Sequence, residues 1–238
     1  YFLCLFHLSG VLSLRRPAGS GMDKTLLLFI NREWTDPFMD RLMASFTSFA
    51  VWMPLLLVAA LVLLWRGNFR IRSFVVVTLL TIGFTDGVFT QLMKKLVNRP
   101  RPSQALAEVR EVNLEKTKPA ILGVWRPVQV AYSKPPEGSV VGRSFPSGHA
   151  MNNTVIATMA ILFFGRVGAL YILPAGIVAY SRIYCGSHWP SDVIVSIVLG
   201  IGFSLILASI ANLLYQKFAS QWFPNLYSSQ RSLFGPVR

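Results

Sequence analysis

Residues 42–65 read LMASFTSFAVWMPLLLVAALVLLW, 24 residues without a charge. A chain of ordinary soluble composition would bury such a run in a core. A bilayer is crossed by about 20 predominantly apolar residues. The rest of the sequence decides between the two. Of 238 residues, 53% are hydrophobic and 14% are charged, with a mean hydropathy of +0.50. Further apolar runs occupy residues 73–93, 147–165, 169–180 and 190–215. The expected fold is therefore all-α, an integral-membrane helical bundle of about five to six transmembrane helices. Arg66, Arg70 and Arg72 close the first span, and Lys94 and Lys95 the second. Arg166-Val167-Gly168 joins the third to the fourth, which Pro174 bends. Pro190 opens the fifth at a favoured first helical position, and Gly200 and Gly202 are expected to let it pack closely.

Residues 23–33 (DKTLLLFINRE) read as an interfacial N-terminal helix. Asp23 is the expected cap, and Leu26, Leu27, Phe29 and Ile30 the apolar side. Residues 1–14 are apolar but short for a span, with no basic region before them. Met22 is the expected natural start and residues 1–21 an upstream extension; a partial first span is the alternative. The membrane domain then covers 22–215, with a polar segment 98–146, and a polar and aromatic tail covers 216–238.

The net charge is +13, and its placement matters more than its size. Ten of the 23 basic residues fall between Lys94 and Arg143, against four acids, in one polar segment between spans. No nucleic-acid-binding motif accompanies them. The membrane surface and a phosphorylated substrate are the expected partners, not nucleic acid. Cys4 and Cys185 make no disulfide framework, and no metal or other cofactor is expected.

Alternating spans bring three charged stretches to one membrane face: Lys94 to Pro102, Phe145 to His149, and Ser181 to Asp192. Lys94, Arg101 and Arg182 supply cations; a guanidinium fork matches phosphate oxygens and lysine adds a compact charge. Ser147-Gly148 opens a helix whose free N–H groups favour an anion. Gly148 lets an oxygen approach the backbone, and the Ser147 hydroxyl can cap the helix or donate to that anion. His188 precedes a helix whose first turn carries Asp192. A carboxylate there can take the proton on one ring nitrogen and leave the other as a lone pair. His149, on another helix, is suited to protonate a leaving oxygen. Each residue alone has a structural reading, as cap, snorkelling anchor or positive flank; their convergence carries the functional one. Asp86 is either a functional intramembrane acid or a partner for Thr90 one turn on. Arg99 has no assigned role.

These stretches resemble, in order, the tripartite signature of the type 2 phosphatidic acid phosphatase superfamily. K-x6-R-P is matched by Lys94 and Arg101-Pro102, P-S-G-H by residues 146–149, and S-R-x5-H-x3-D by Ser181-Arg182, His188 and Asp192. The resemblance spans about Asp23 to Tyr215. It implies a metal-independent membrane phosphatase in which His188 attacks phosphorus and forms a phosphohistidine, Asp192 orients it and His149 is the acid. Lys94, Arg101, Ser147, Gly148 and Arg182 would then hold the phosphoryl oxygens.

The expected substrate is a lipid phosphate or diphosphate: phosphatidic acid, phosphatidylglycerol phosphate, undecaprenyl diphosphate or a lipid A phosphate. The alternatives are a lipid phosphotransferase with the same site and a non-catalytic transporter or scaffold. The arginines of the turn 66–72 resemble those of cytoplasmic loops. They put the active face on the periplasmic or exterior side of a bacterial inner or plasma membrane.

Overall fold

The computed structural model describes residues 21–134 and 142–234. The expected upstream extension therefore lies, but for its last residue, outside the described residues. The first helix, α1 (Gly21–Leu28), continues as a wider π turn over Phe29–Glu33. Leu27 and Ile30 are buried in the protein, while Leu26 and Phe29 are exposed. Asp36 accepts hydrogen bonds from the Phe38 and Met39 amides, and Pro37 follows, so α2 (Pro37–Thr47) begins there.

The expected first span, 42–65, is broken. Ser48 is extended and α3 (Phe49–Arg66) starts after it. At the break the Ser45 carbonyl accepts the Ser48 amide at 3.3 Å and the Trp52 indole N–H at 2.9 Å. Hydrophobicity alone is blind to such a break, because Thr47 and Ser48 are uncharged. Asn68 caps α4 (Phe69–Phe84). A π segment, Thr85–Thr90, runs into α5 (Gln91–Val97), which Asn98 ends in left-handed geometry. The short α6 (Pro102–Ala105) follows.

The polar segment is not irregular throughout. Strands β1 (Arg110–Asn113) and β2 (Gln129–Tyr132) pair antiparallel, a small departure from an all-α fold. The remaining helices are α7 (Gly148–Phe164), α8 (Ile172–Tyr184), α9 (Pro190–Trp222) and α10 (Pro224–Ser229). The expected tail thus begins inside α9. Beyond α10 the chain folds back: Leu233 is buried, and Phe234 meets the Phe163 ring edge-on at 5.0 Å.

Among the described residues, three helical runs are long and apolar enough to cross a membrane: Phe49–Arg66, Phe69–Ala105 and Pro190–Trp222. The 17-residue α7 and 13-residue α8 fall short of that length. Helix α7 is central, packed by α4, α8 and α9, with Met151, Val155, Met159 and Phe163 fully enclosed. A Cβ on Gly200 would sit 3.0 Å from the Thr154 side chain, so this glycine sets the α7–α9 approach, whereas Gly202 faces open space.

One buried polar clamp fixes the end of α8. Asp40 takes two hydrogen bonds from the Arg110 guanidinium, at 2.7 and 2.9 Å, and one from the Tyr184 hydroxyl at 2.7 Å. Asn31 donates to the carbonyls of Arg110 and Tyr184 and accepts from the Arg110 amide. The N-terminal helices, the hairpin and α8 meet there. Gly186, at φ +68°, then reverses the chain, and a Cβ on it would lie 2.6 Å from the Arg110 carbonyl oxygen.

Candidate active site

The three charged stretches come together, and the contacts between them are direct. The Trp189 indole N–H donates to the Pro100 carbonyl at 2.8 Å, tying the third stretch to the first. The Ser144 amide donates to the Arg99 carbonyl at 2.9 Å and the Gly142 amide to Asn98 Oδ1 at 2.8 Å, tying the second to the first. Ser144 Oγ donates to Asp192 Oδ2 at 2.5 Å, tying the second to the third.

His188 sits in the loop between α8 and α9 and is only 3% exposed. Its amide, like that of Ser187, donates to the Arg182 carbonyl, which wraps the loop over the end of α8. The ring Nδ1 lies 2.6 Å from the Ser144 carbonyl oxygen. A carbonyl only accepts, so Nδ1 carries the proton and Nε2 keeps its lone pair. The expected direct bond from His188 to Asp192 is absent: Asp192 Oδ2 is 3.9 Å away. That oxygen is already occupied by Ser144 Oγ and the Trp189 amide. Asp192 is therefore linked to His188 by way of Ser144, whose hydroxyl donates to the carboxylate and whose carbonyl takes the ring N–H. Burial above all, then the charges of Arg182 and Arg101, hold the His188 pKa well below the ordinary imidazole value. The ring is neutral, the form a nitrogen nucleophile needs.

His149 lies in the first turn of α7, with the Phe49 ring edge-on at 6.2 Å. Arg182, Lys94 and Arg101 act electrostatically on both imidazoles. The same three cations thus act on both histidines. Arg143, which the motifs do not include, acts on Lys94 as well. Arg182 gives one terminal N–H to Thr47 at the end of α2, while its Nε is buried without a hydrogen-bond partner. Ser147 does not cap α7. Its amide donates to Ser196 Oγ at 2.8 Å, and its hydroxyl is buried and unpartnered. Two buried donors without acceptors, beside a cluster of cations, suit a multiply charged anion. Gly148 is close-packed: a Cβ there would lie 2.7 Å from Asp86 Oδ1. Asp86 therefore stands beneath the start of α7, and Thr90 turns its hydroxyl to the Met151 sulfur instead.

Sequence reasoning missed Ser144, Thr47 and Asp23. Nothing in the linear pattern marks them, since each reaches the site through a fold contact. Asp23 was expected to cap its own helix. Its carboxylate bonds the amide and hydroxyl of Ser191 and the guanidinium of Arg99.

Comparison with known proteins agrees with this architecture. Residues 70–216 match the family model of the PAP2 superfamily. The lipid A 4'-phosphatase of Bacteroides thetaiotaomicron is 28% identical over 184 residues, 76% of this chain and 73% of that one. The crystal structure of LpxE from Aquifex aeolicus superposes with a TM-score of 0.56 at 26% identity, over 80% of this chain and 96% of that chain. The transmembrane PAP2-type phosphatidylglycerolphosphate phosphatase of Bacillus subtilis shares the fold, with a TM-score of 0.53 at 18% identity over 81% and 87% of the two chains. The chain belongs to the PAP2 superfamily. It is an integral-membrane phosphatase.

Proposed function

We propose that this phosphatase hydrolyses a lipid phosphate through a phosphohistidine on His188. The observation that carries this reading is the single hydrogen bond from His188 Nδ1 to the Ser144 carbonyl. It leaves Nε2 as a lone pair in a surrounding shared with Lys94, Arg101 and Arg182. Nε2 attacks phosphorus and the bond from phosphorus to the leaving oxygen breaks. His149 gives that oxygen a proton; a dianionic phosphoryl group among three cations favours the imidazolium that this requires. Neutral His149 next takes a proton from water, whose oxygen attacks phosphorus. The N–P bond breaks and inorganic phosphate leaves. Lys94, Arg101, Arg182, Ser147 and the Gly148 amide hold the phosphoryl oxygens throughout. Lys94, Arg101 and Arg182, acting on both histidines, disfavour a divalent metal there, and the steps above use none.

The almost fully exposed apolar surface of α3, beside Phe49, lets a lipid substrate keep its acyl chains in the membrane while its phosphate enters. The similarity to a lipid A phosphatase over three quarters of both chains puts a phosphorylated glycolipid first among substrates. Arginines of the turn 66–72 suit a cytoplasmic loop, and this supports a site on the periplasmic or exterior side.

The test is phosphate release from a panel of lipid A, undecaprenyl diphosphate, phosphatidic acid and phosphatidylglycerol phosphate, in detergent with a chelator present. Release from at least one, lost in His188→Ala, is expected. No release from any of them, or full activity in His188→Ala, overturns the proposal.

A further inference from the structure

Arg99 lies outside the three motifs, yet it is the most heavily bonded cation near the site. One terminal nitrogen is 2.5 Å from Asp192 Oδ1 and 2.8 Å from Ser191 Oγ; the other is 2.6 Å from Asp23 Oδ2. Its guanidinium also stands over the Trp189 ring, 5.3 Å from the centroid. Asp192 is wholly buried and Asp23 is 6% exposed. Asp23 Oδ1 also accepts from the Ser191 amide at 2.9 Å, so a carboxylate of the first helix completes the N-terminus of α9.

We propose that Arg99 and Asp23 are positioning residues for the phosphatase reaction: Arg99 fixes Asp192 behind His188, and Asp23 restores the negative charge that Arg99 would otherwise cancel. The proposal rests on His188 being the nucleophile. When Nε2 bonds to phosphorus, the ring keeps its Nδ1 proton and becomes a cation. A carboxylate 3.9 Å from Nδ1 stabilises that cation. Alone with Arg99, Asp192 would form a neutral pair and lose much of this effect. With Asp23 the three groups carry one net negative charge, and the bond from Arg99 to Oδ1, with the bond from Ser144 Oγ to Oδ2, keeps Asp192 from rotating toward His188. Burial opposes ionisation of Asp23, but hydrogen bonds from Ser191 and the contact with Arg99 outweigh it and hold its pKa below the usual carboxylate range. The N-terminal helix thereby becomes part of the catalytic machinery, although no motif reaches it.

The experiment compares the full chain with Asp23→Asn, Arg99→Ala and Arg99→Lys in detergent. Hydrolysis of whichever of the four panel lipids the unmodified chain turns over fastest is the readout, and His188→Ala the control. Asp23→Asn is expected to lower kcat about tenfold and Arg99→Ala about a hundredfold, the scale of hydrogen bonds to charged groups, with KM within about twofold. Millimolar guanidinium ion should restore at least about tenfold to Arg99→Ala, whereas tetramethylammonium should not. A residue needed only for folding changes the yield of folded enzyme but neither kcat of the folded fraction nor its response to guanidinium. Should Arg99→Ala not fold, Arg99→Lys is expected to show reduced kcat at unchanged KM. If the unmodified chain is inactive, or His188→Ala is as active as it, the catalytic reading falls and the relay falls with it. If both controls behave but Asp23→Asn and the Arg99 variants keep kcat within about twofold, the relay alone is wrong.

Discussion

The imidazole of His188 is held by the backbone carbonyl of Ser144, at 2.6 Å, and not by a side chain. Because that acceptor is main chain, no substitution at position 144 short of a backbone change removes it. The Ser144 hydroxyl is separable, and it binds Asp192. Ser144→Ala should therefore leave the His188 tautomer intact and loosen only the carboxylate. The expected loss in kcat is about tenfold, as for one hydrogen bond to a charged group, with KM unchanged. Steady-state kinetics check this, and Asp192→Asn should lose more.

Arg182 gives one terminal N–H to Thr47 and keeps its Nε–H buried and unpartnered. A lysine has no fork and cannot serve both directions. Arg182→Lys is expected to raise the inhibition constant of inorganic phosphate about tenfold. Competition kinetics read this out, and unchanged inhibition would remove Arg182 from phosphate binding.

The depressed His188 pKa makes stability depend on pH in one direction. The unfolded ring titrates near 6.5; the folded ring, facing Asp192, Arg182, Arg101 and Lys94, titrates well below that because of burial and then the two arginines. Between those values only the unfolded state takes up the proton. Stability is complete above about pH 6.5 and falls as pH drops below it, by at most about 1.4 kcal/mol per pH unit for this group. Thermal unfolding in detergent should show the His188→Gln variant losing less Tm than the parent as pH falls from 7 to 5.

The Asp40–Arg110–Tyr184 clamp is buried on all sides. Asp40→Ala strands a guanidinium and a phenol hydroxyl and should cost about 3–5 kcal/mol. Asp40→Asn, which keeps an acceptor for one of them, should cost less. Thermal unfolding ranks the two.

Gly186→Ala combines a left-handed backbone with a Cβ 2.6 Å from the Arg110 carbonyl. A loss of about 1–3 kcal/mol is expected. Activity should fall as well, because His188 lies two residues on. A variant with unchanged Tm and kcat would show that the loop tolerates the shift.

Motif residues were legible because chemistry restricts the residue types and the chain keeps their spacing; in the fold, Lys94, Arg101 and Arg182 act on both His149 and His188. Span positions were legible from hydropathy, but their ends were not. The break at Ser48 depends on a Trp52 side chain returning to a backbone carbonyl, and α9 runs past Tyr215 because α10 and Phe234 pack back on the bundle. The hairpin 110–113 with 129–132 escaped notice because its strands are four residues each and lack clear alternation.

Sequence alone determined that this chain lives in a membrane and that it carries the three spaced motifs of its superfamily. These follow from composition and from spacing along helices, which are local properties. Which atom holds His188, what neutralises Arg99, and that Asp23 reaches α9 were decided only by tertiary structure. Those contacts join residues up to 168 positions apart. Their energy depends on distance and burial, which no linear spacing encodes.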